Sequence, residues 1–169
     1  MKKQKGFSLI ELLIVVAIIL IIAAIAIPNL LRAKISANEA SAVGSMRTIV
    51  TGEISYAAAG WTNSSNVPLG YSNALGDLGG TGGCTTPTAT STCYIDPSLA
   101  SATSAAAPKS GYFFTYAPVA NGGTNTGFSL QGSPATAGQT GVRYFFADQS
   151  GVIRFNPSGS ATASSNALQ

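Results

Sequence analysis

Lys5-Gly6-Phe7-Ser8-Leu9-Ile10-Glu11 opens an apolar run that continues to Ile27, and the reading of that run decides the fold. At ~1.5 Å per residue, a helix from Phe7 to Ile27 spans roughly 31 Å, close to the ~30 Å of a bilayer hydrocarbon core. The run is therefore long enough to cross a membrane. Glu11 is its anomaly, because an acidic residue at the centre of such a helix costs roughly 2.5–3.5 kcal/mol, and less near the interface. Two readings offset that cost. In one, Glu11 lies a turn inside the boundary, reaches towards headgroups and gains from the positive end of the helix dipole. In the other, a cut between Gly6 and Phe7 creates an α-amino group at Phe7, and Glu11 of a neighbouring subunit pairs with it.

Three rival readings of the run carry less. A secretory signal would explain the basic residues from Met1 to Lys5 and the small-residue site at Ala24-Ile25-Ala26. It fits poorly with a charge inside the apolar core, with Pro28 close behind the cut, and with a core longer than the usual ~7–15 residues. An uncleaved anchor accounts for the length but leaves the Gly6-Phe7 to Glu11 spacing unexplained. A buried core helix sits badly with a segment apolar on every face.

Behind its short basic leader, Gly6-Phe7-Ser8-Leu9-Ile10-Glu11 resembles the processing site of type IV pilins and pseudopilins, of the type IVa subclass. The likeness covers about Lys2 to Lys34. It implies that a membrane aspartic peptidase cuts after Gly6 and methylates the new amine of Phe7, and that Glu11 aids assembly. It also implies, as partners, further copies of the chain in a helical polymer, an inner-membrane assembly platform with its ATPase, and membrane lipid before assembly.

Of 169 residues, what is left after a leader and a membrane-length helix is enough for one small globular domain. The formal charge of +3 comes from the leader, since losing Lys2, Lys3 and Lys5 leaves the other charged side chains balanced. No nucleic-acid site is expected, because Arg32, Lys34, Arg47, Lys109, Arg143 and Arg154 are scattered. Histidine is absent, so a Ser or Cys nucleophile lacks its usual base, and Asp77, Asp96 and Asp148 stand alone in sequence. The chain is read as no enzyme, with no cofactor and no metal. Cys84 and Cys93 are read as a disulfide worth about 2–3 kcal/mol if the body is exported to an oxidising space. Two thiols alone fall short of a zinc site.

In chain order, Lys2-Lys3-Gln4-Lys5 favours a cytoplasmic N-terminus, a bias that Arg32 and Lys34 weaken from the far side. Pro28 either bends the helix near Ala24 or ends it, and continued helical spacing favours the bend. From Leu31, one broad face carries Ile35, Val43, Met46, Ile49, Val50 and Ile54, with Lys34, Ser41, Ser45, Thr48 and Thr51 opposite. Glu39 and Glu53 spoil that face, and Gly44 and Gly52 each weaken the helix by roughly 1 kcal/mol. The helix is expected to end near Gly60. Counted from Phe7 to Ala59 it runs about 80 Å, far more than a small domain can cover.

Trp61 to Pro108 reads mostly as loop, with a helical turn within Ser98 to Ala107. Four strand-like runs follow: Tyr112 to Ala117, Phe128 to Gln131, Val142 to Ala147 and Val152 to Phe155. Asn121-Gly122-Gly123 and Asp148-Gln149-Ser150-Gly151 are hairpin connectors. Alternation places Tyr112, Phe114, Tyr116, Tyr144, Phe146, Ile153 and Phe155 on one face, to be set against the amphipathic helix half if that parity is the inward one, a choice that alternation alone leaves open.

The expected fold is α+β and pilin-like: a long N-terminal helix packed on a 3–4-stranded antiparallel sheet. Its parts are a cleaved leader at 1–6, an apolar membrane-spanning or filament-core half-helix at 7–29 and an amphipathic half at 30–60. The head takes 61–157, with loops at 61–108 and the sheet at 109–156, and a flexible tail takes 158–169. The expected role is a subunit of a type IV pilus-like filament serving adhesion, motility or DNA uptake. Such a chain starts as an N-in single-pass precursor of the inner membrane and ends in an extracellular pilus. Two alternatives stand beside it: a pseudopilin of a type II secretion system, in a periplasmic pseudopilus, and a monomeric membrane-anchored binding domain that presents the 61–108 loops. The tryptophan-glycine-asparagine-proline segment of the major secretion pseudopilins is not found in this chain.

Overall fold

The computed structural model describes residues 7–80 and 86–168. The expectations for Gly6 and Cys84 lie outside them. The chain divides into two compact units, one ending at Lys34 and the other beginning at Ile35. Helix α1 (Leu9–Ala58) belongs to both.

In the first unit, α1 is apolar on every side and nearly every side chain from Phe7 to Lys34 is exposed. Pro28 lies inside the helix and does not end it. Its ring nitrogen has no proton for the carbonyl of Ala24, so one helical bond is missing there.

The second unit is built on the rest of α1. Ala42, Val43, Met46, Ile49 and Val50 are buried, the stripe that helical spacing predicts, and Tyr56 is buried beyond it. The stripe is rotated slightly from expectation: Ser45 is buried, whereas Ile54 at its edge is exposed. Gly60, at φ 69°, closes the helix in the left-handed conformation that a C-terminal glycine supplies. Gly52 has a packing reason, because a Cβ there would lie 3.1 Å from Ile95 Cγ2.

The region read as loop holds two four-residue helices, α2 (Leu75–Leu78) and α3 (Pro97–Ala100). Asp77 Oδ2 accepts the backbone N–H groups of Asn73 and Ala74 at the start of α2. Asp96 caps α3 by accepting the Ser98 N–H at 2.9 Å, with Pro97 at the first helical position.

The sheet has five strands, not three or four: β1 (Tyr112–Asn121), β2 (Thr124–Pro134), β3 (Tyr144–Asp148), β4 (Arg154–Asn156) and β5 (Asn166–Ala167), paired antiparallel in that order. Gly122 and Gly123 make the β1–β2 turn at φ 61° and 88°, the positive pair a two-residue hairpin demands. β5 falls among the residues read as a tail, where Leu168 also donates its N–H to Ile153.

One face of the sheet meets α1. Phe114 pairs across from Gly132, and Gly132 from Phe145, which pairs in turn with Phe155. A Cβ on Gly132 would lie 3.2 Å from Met46 Sδ, so this glycine brings the sheet close to the helix. The expected parity holds for Tyr112, Phe114, Ile153 and Phe155 but is off by one in β3. There Phe145 and Ala147, in place of Tyr144 and Phe146, share the face of Phe114 and Leu130.

Candidate assembly helix and its anchorage

Glu11 stands in the first turn of α1 and accepts the backbone N–H of Ser8 at 2.9 Å. Ser8-Leu9-Ile10-Glu11 is thus the returning half of a capping box, in which the third helical residue reaches back to the residue before the helix. The Ser-x-x-Glu spacing of that pattern stands in the sequence itself. One carboxylate oxygen is so engaged, and the acid sits where the helix dipole favours it. Around and behind it, Leu9, Ile10, Leu12, Leu13, Leu20 and Ile21 are each at least 62% exposed. Among the described residues nothing in the first unit covers them.

The head end of the helix is held by two buried carboxylates. Glu39 accepts the backbone N–H groups of Val142 and Arg143 at 2.9 and 3.0 Å and the Arg143 Nε at 2.7 Å. Burial pushes its pKa up, but those donors outweigh burial and hold it below the ordinary value. The Arg143 guanidinium lies over the Phe145 and Phe155 rings as well. Next to this anchor, Asn38 Nδ2 donates to the Thr140 carbonyl at 2.8 Å.

Glu53 is fully buried and pairs with no cation among the described residues. It accepts Ser72 N–H at 3.0 Å and Ser72 Oγ–H at 2.5 Å. Burial raises its pKa above the ordinary value, more than the Ser72 bonds lower it. The Ser72 carbonyl in turn accepts from Tyr116 Oη and Asn125 Nδ2, so one turn of α1, the 61–74 loop and strands β1 and β2 meet at one residue. On the helical pattern alone both acids are blemishes on an apolar face. Their partners lie 103 and 19 residues away, and no helical pattern points to them.

The other sequence-derived residues do not converge. Phe7 is exposed and Pro28 lies mid-helix, both in the first unit, while Cys93 lies in the second. Cys93 is not a free thiol. Among the described residues no group of His, Cys, Asp or Glu could hold a metal ion.

Residues 1–27 match the family model of the prokaryotic N-terminal methylation motif. The type IV wide pilus major component PilA4 of Thermus thermophilus is 64% identical over 39 residues, 23% of this chain and 30% of that protein. The type IV major pilin protein PilA of Myxococcus xanthus is 43% identical over 54 residues, 32% of this chain and 24% of that protein. The chain thus matches less than a third of the length of either relative, and no solved structure matches it. Both relatives are named as major components of type IV pili. In its N-terminal methylation motif and the helix behind it, this chain is similar to type IV pilins.

Proposed function

We propose that the chain is the structural subunit of a type IV pilus-like filament, cut after Gly6, methylated at Phe7 and polymerised through α1. The observation that carries this reading is the contrast within the helix: a stretch apolar on every side and uncovered, preceded by the methylation motif. A bilayer and a bundle of like helices are the two surroundings that such a surface tolerates. The precursor lies N-in across the inner membrane, and assembly draws α1 from lipid into the filament core.

Glu11 keeps the helix start in order through Ser8 and pairs its charge with the Phe7 amine of another copy. Burying a carboxylate alone would cost several kcal/mol, and the pairing offsets that cost only when the subunits are in register. Cys84 and Cys93 form a disulfide once the head reaches an oxidising space. Prepilin peptidase, an assembly platform and its ATPase are the partners this cycle requires. Adhesion, motility and DNA uptake are the uses such a filament serves, and a secretion pseudopilus is the alternative built from the same parts.

The test is to shear cells that express the chain and examine the released material. Fibres that contain the chain, and that disappear with its deletion, support the proposal. A chain confined to membranes, with fibres unchanged by its deletion, refutes it in favour of a monomeric anchored domain.

A further inference from the structure

Between Phe7 and Asn38 three side chains carry charge: Glu11, Arg32 and Lys34. Once the leader lysines are gone, the two cations are the basic side chains nearest the span. Arg32 lies five residues beyond Ile27 and Lys34 seven, or about 7.5 and 10.5 Å further along the helix. The headgroup layer of one leaflet extends roughly 5–8 Å past the hydrocarbon, and long basic side chains reach back towards it. Both residues are exposed. The ion pairs among the described residues are Lys109 with Asp96 and Arg143 with Glu39, and neither takes in Arg32 or Lys34. Nor does either have an acid three or four residues away, since those places hold Pro28, Asn29, Ile35 and Ser36 for Arg32, and Leu30, Leu31, Ala37 and Asn38 for Lys34. The two point about 200° apart around the helix, so one faces the headgroups on each side whatever its roll.

We propose that Arg32 and Lys34 form a two-sided clamp on lipid phosphate groups of the leaflet opposite the leader, which fixes the depth of the subunit before assembly. The inference rests on the membrane-spanning reading of the apolar run. The guanidinium matches a phosphodiester with two parallel N–H donors, and the ammonium serves as a point charge. Withdrawing the helix from the bilayer breaks both contacts, so the clamp also opposes premature release.

The processed chain, from Phe7 onward, with carbon-13 at Arg Cζ and Lys Cε, is reconstituted in vesicles of phosphatidylethanolamine and phosphatidylglycerol. Carbon–phosphorus dipolar dephasing is then measured by solid-state NMR, and protease protection of the apolar run reports insertion. The expected result is dephasing at both sites, lost from the arginine signal in Arg32→Gln and from the lysine signal in Lys34→Gln. Dephasing that survives both substitutions overturns the clamp. Equal dephasing in phosphorus-free detergent with inorganic phosphate overturns the assignment to lipid. An inserted chain without dephasing overturns the clamp and leaves the span standing, whereas a chain that fails to insert overturns both.

Discussion

Leu20 and Met46 belong to one helix, yet Leu20 is 63% exposed and Met46 is fully buried beside Gly132 and the aromatic face of the sheet. The acids repeat the contrast. Glu11 is satisfied by its own first turn, whereas Glu39 and Glu53 are satisfied by residues far along the chain. The helix half within the head has its partners in the same molecule, and the other half has to find them elsewhere. Substitutions in the two halves should therefore be read out by different experiments, and that separation is what can break the account.

The largest effect is expected on assembly. Glu11→Gln keeps the capping carbonyl for the Ser8 N–H and removes the charge, so filament yield should fall at least about tenfold while membrane insertion and head stability stay unchanged. Normal yield from Glu11→Gln, with loss only in Glu11→Ala, would reduce Glu11 to a helix cap.

Next comes Phe114→Ala, which empties a fully buried position and should lower head stability by about 3–5 kcal/mol in denaturant unfolding of the chain in detergent. Leu20→Ala in the same assay should stay within about 0.5 kcal/mol. Similar losses from both would mean that the first half of the helix is part of the folded core after all.

Glu39→Gln should cost about 1.5–3 kcal/mol, the range for hydrogen bonds to a charged group. Because Glu39 is held below the ordinary carboxylate value, its contribution is present above that value and lost as pH falls through the lowered pKa. The acid limb of the stability profile should therefore flatten in the variant.

Glu53 works in the opposite sense, since its raised pKa makes its contribution full below the ordinary value and lost as pH rises through the raised one. Glu53→Gln should remove that alkaline-side loss at a cost of no more than about 1 kcal/mol, because the amide can donate to Ser72 Oγ while that hydroxyl donates to the Ala74 carbonyl. A profile identical to the parent's would show that Glu53 does not change its charge in this range. The smallest effect is a gain: Gly44→Ala should add about 0.5–1 kcal/mol, because nothing lies within 4 Å of a Cβ there.

Most of the frame was legible in the sequence, since the apolar run, the switch to an amphipathic stripe and the Gly122-Gly123 turn each have a local signature. What failed was non-local. Tyr144-Phe145-Phe146 is apolar without alternation, so its parity is set by the register that places Phe145 opposite Gly132 and cannot be read from the strand itself. β5 is two residues long and polar at Asn166, too short for any periodic signal. Glu39 and Glu53 look like defects until the distant backbone donors are seen. At the candidate site, the Gly6-Phe7 to Glu11 pattern was legible, and so was the Ser8-to-Glu11 spacing of a helix cap.

The most direct test of the central claim, that α1 is exposed in order to assemble after processing, is the intact mass and N-terminal sequence of chain recovered from sheared filaments. The account predicts a chain that begins at Phe7 with one methyl group on its amine. A chain from that fraction that begins at Met1, or at Ile27, would contradict it.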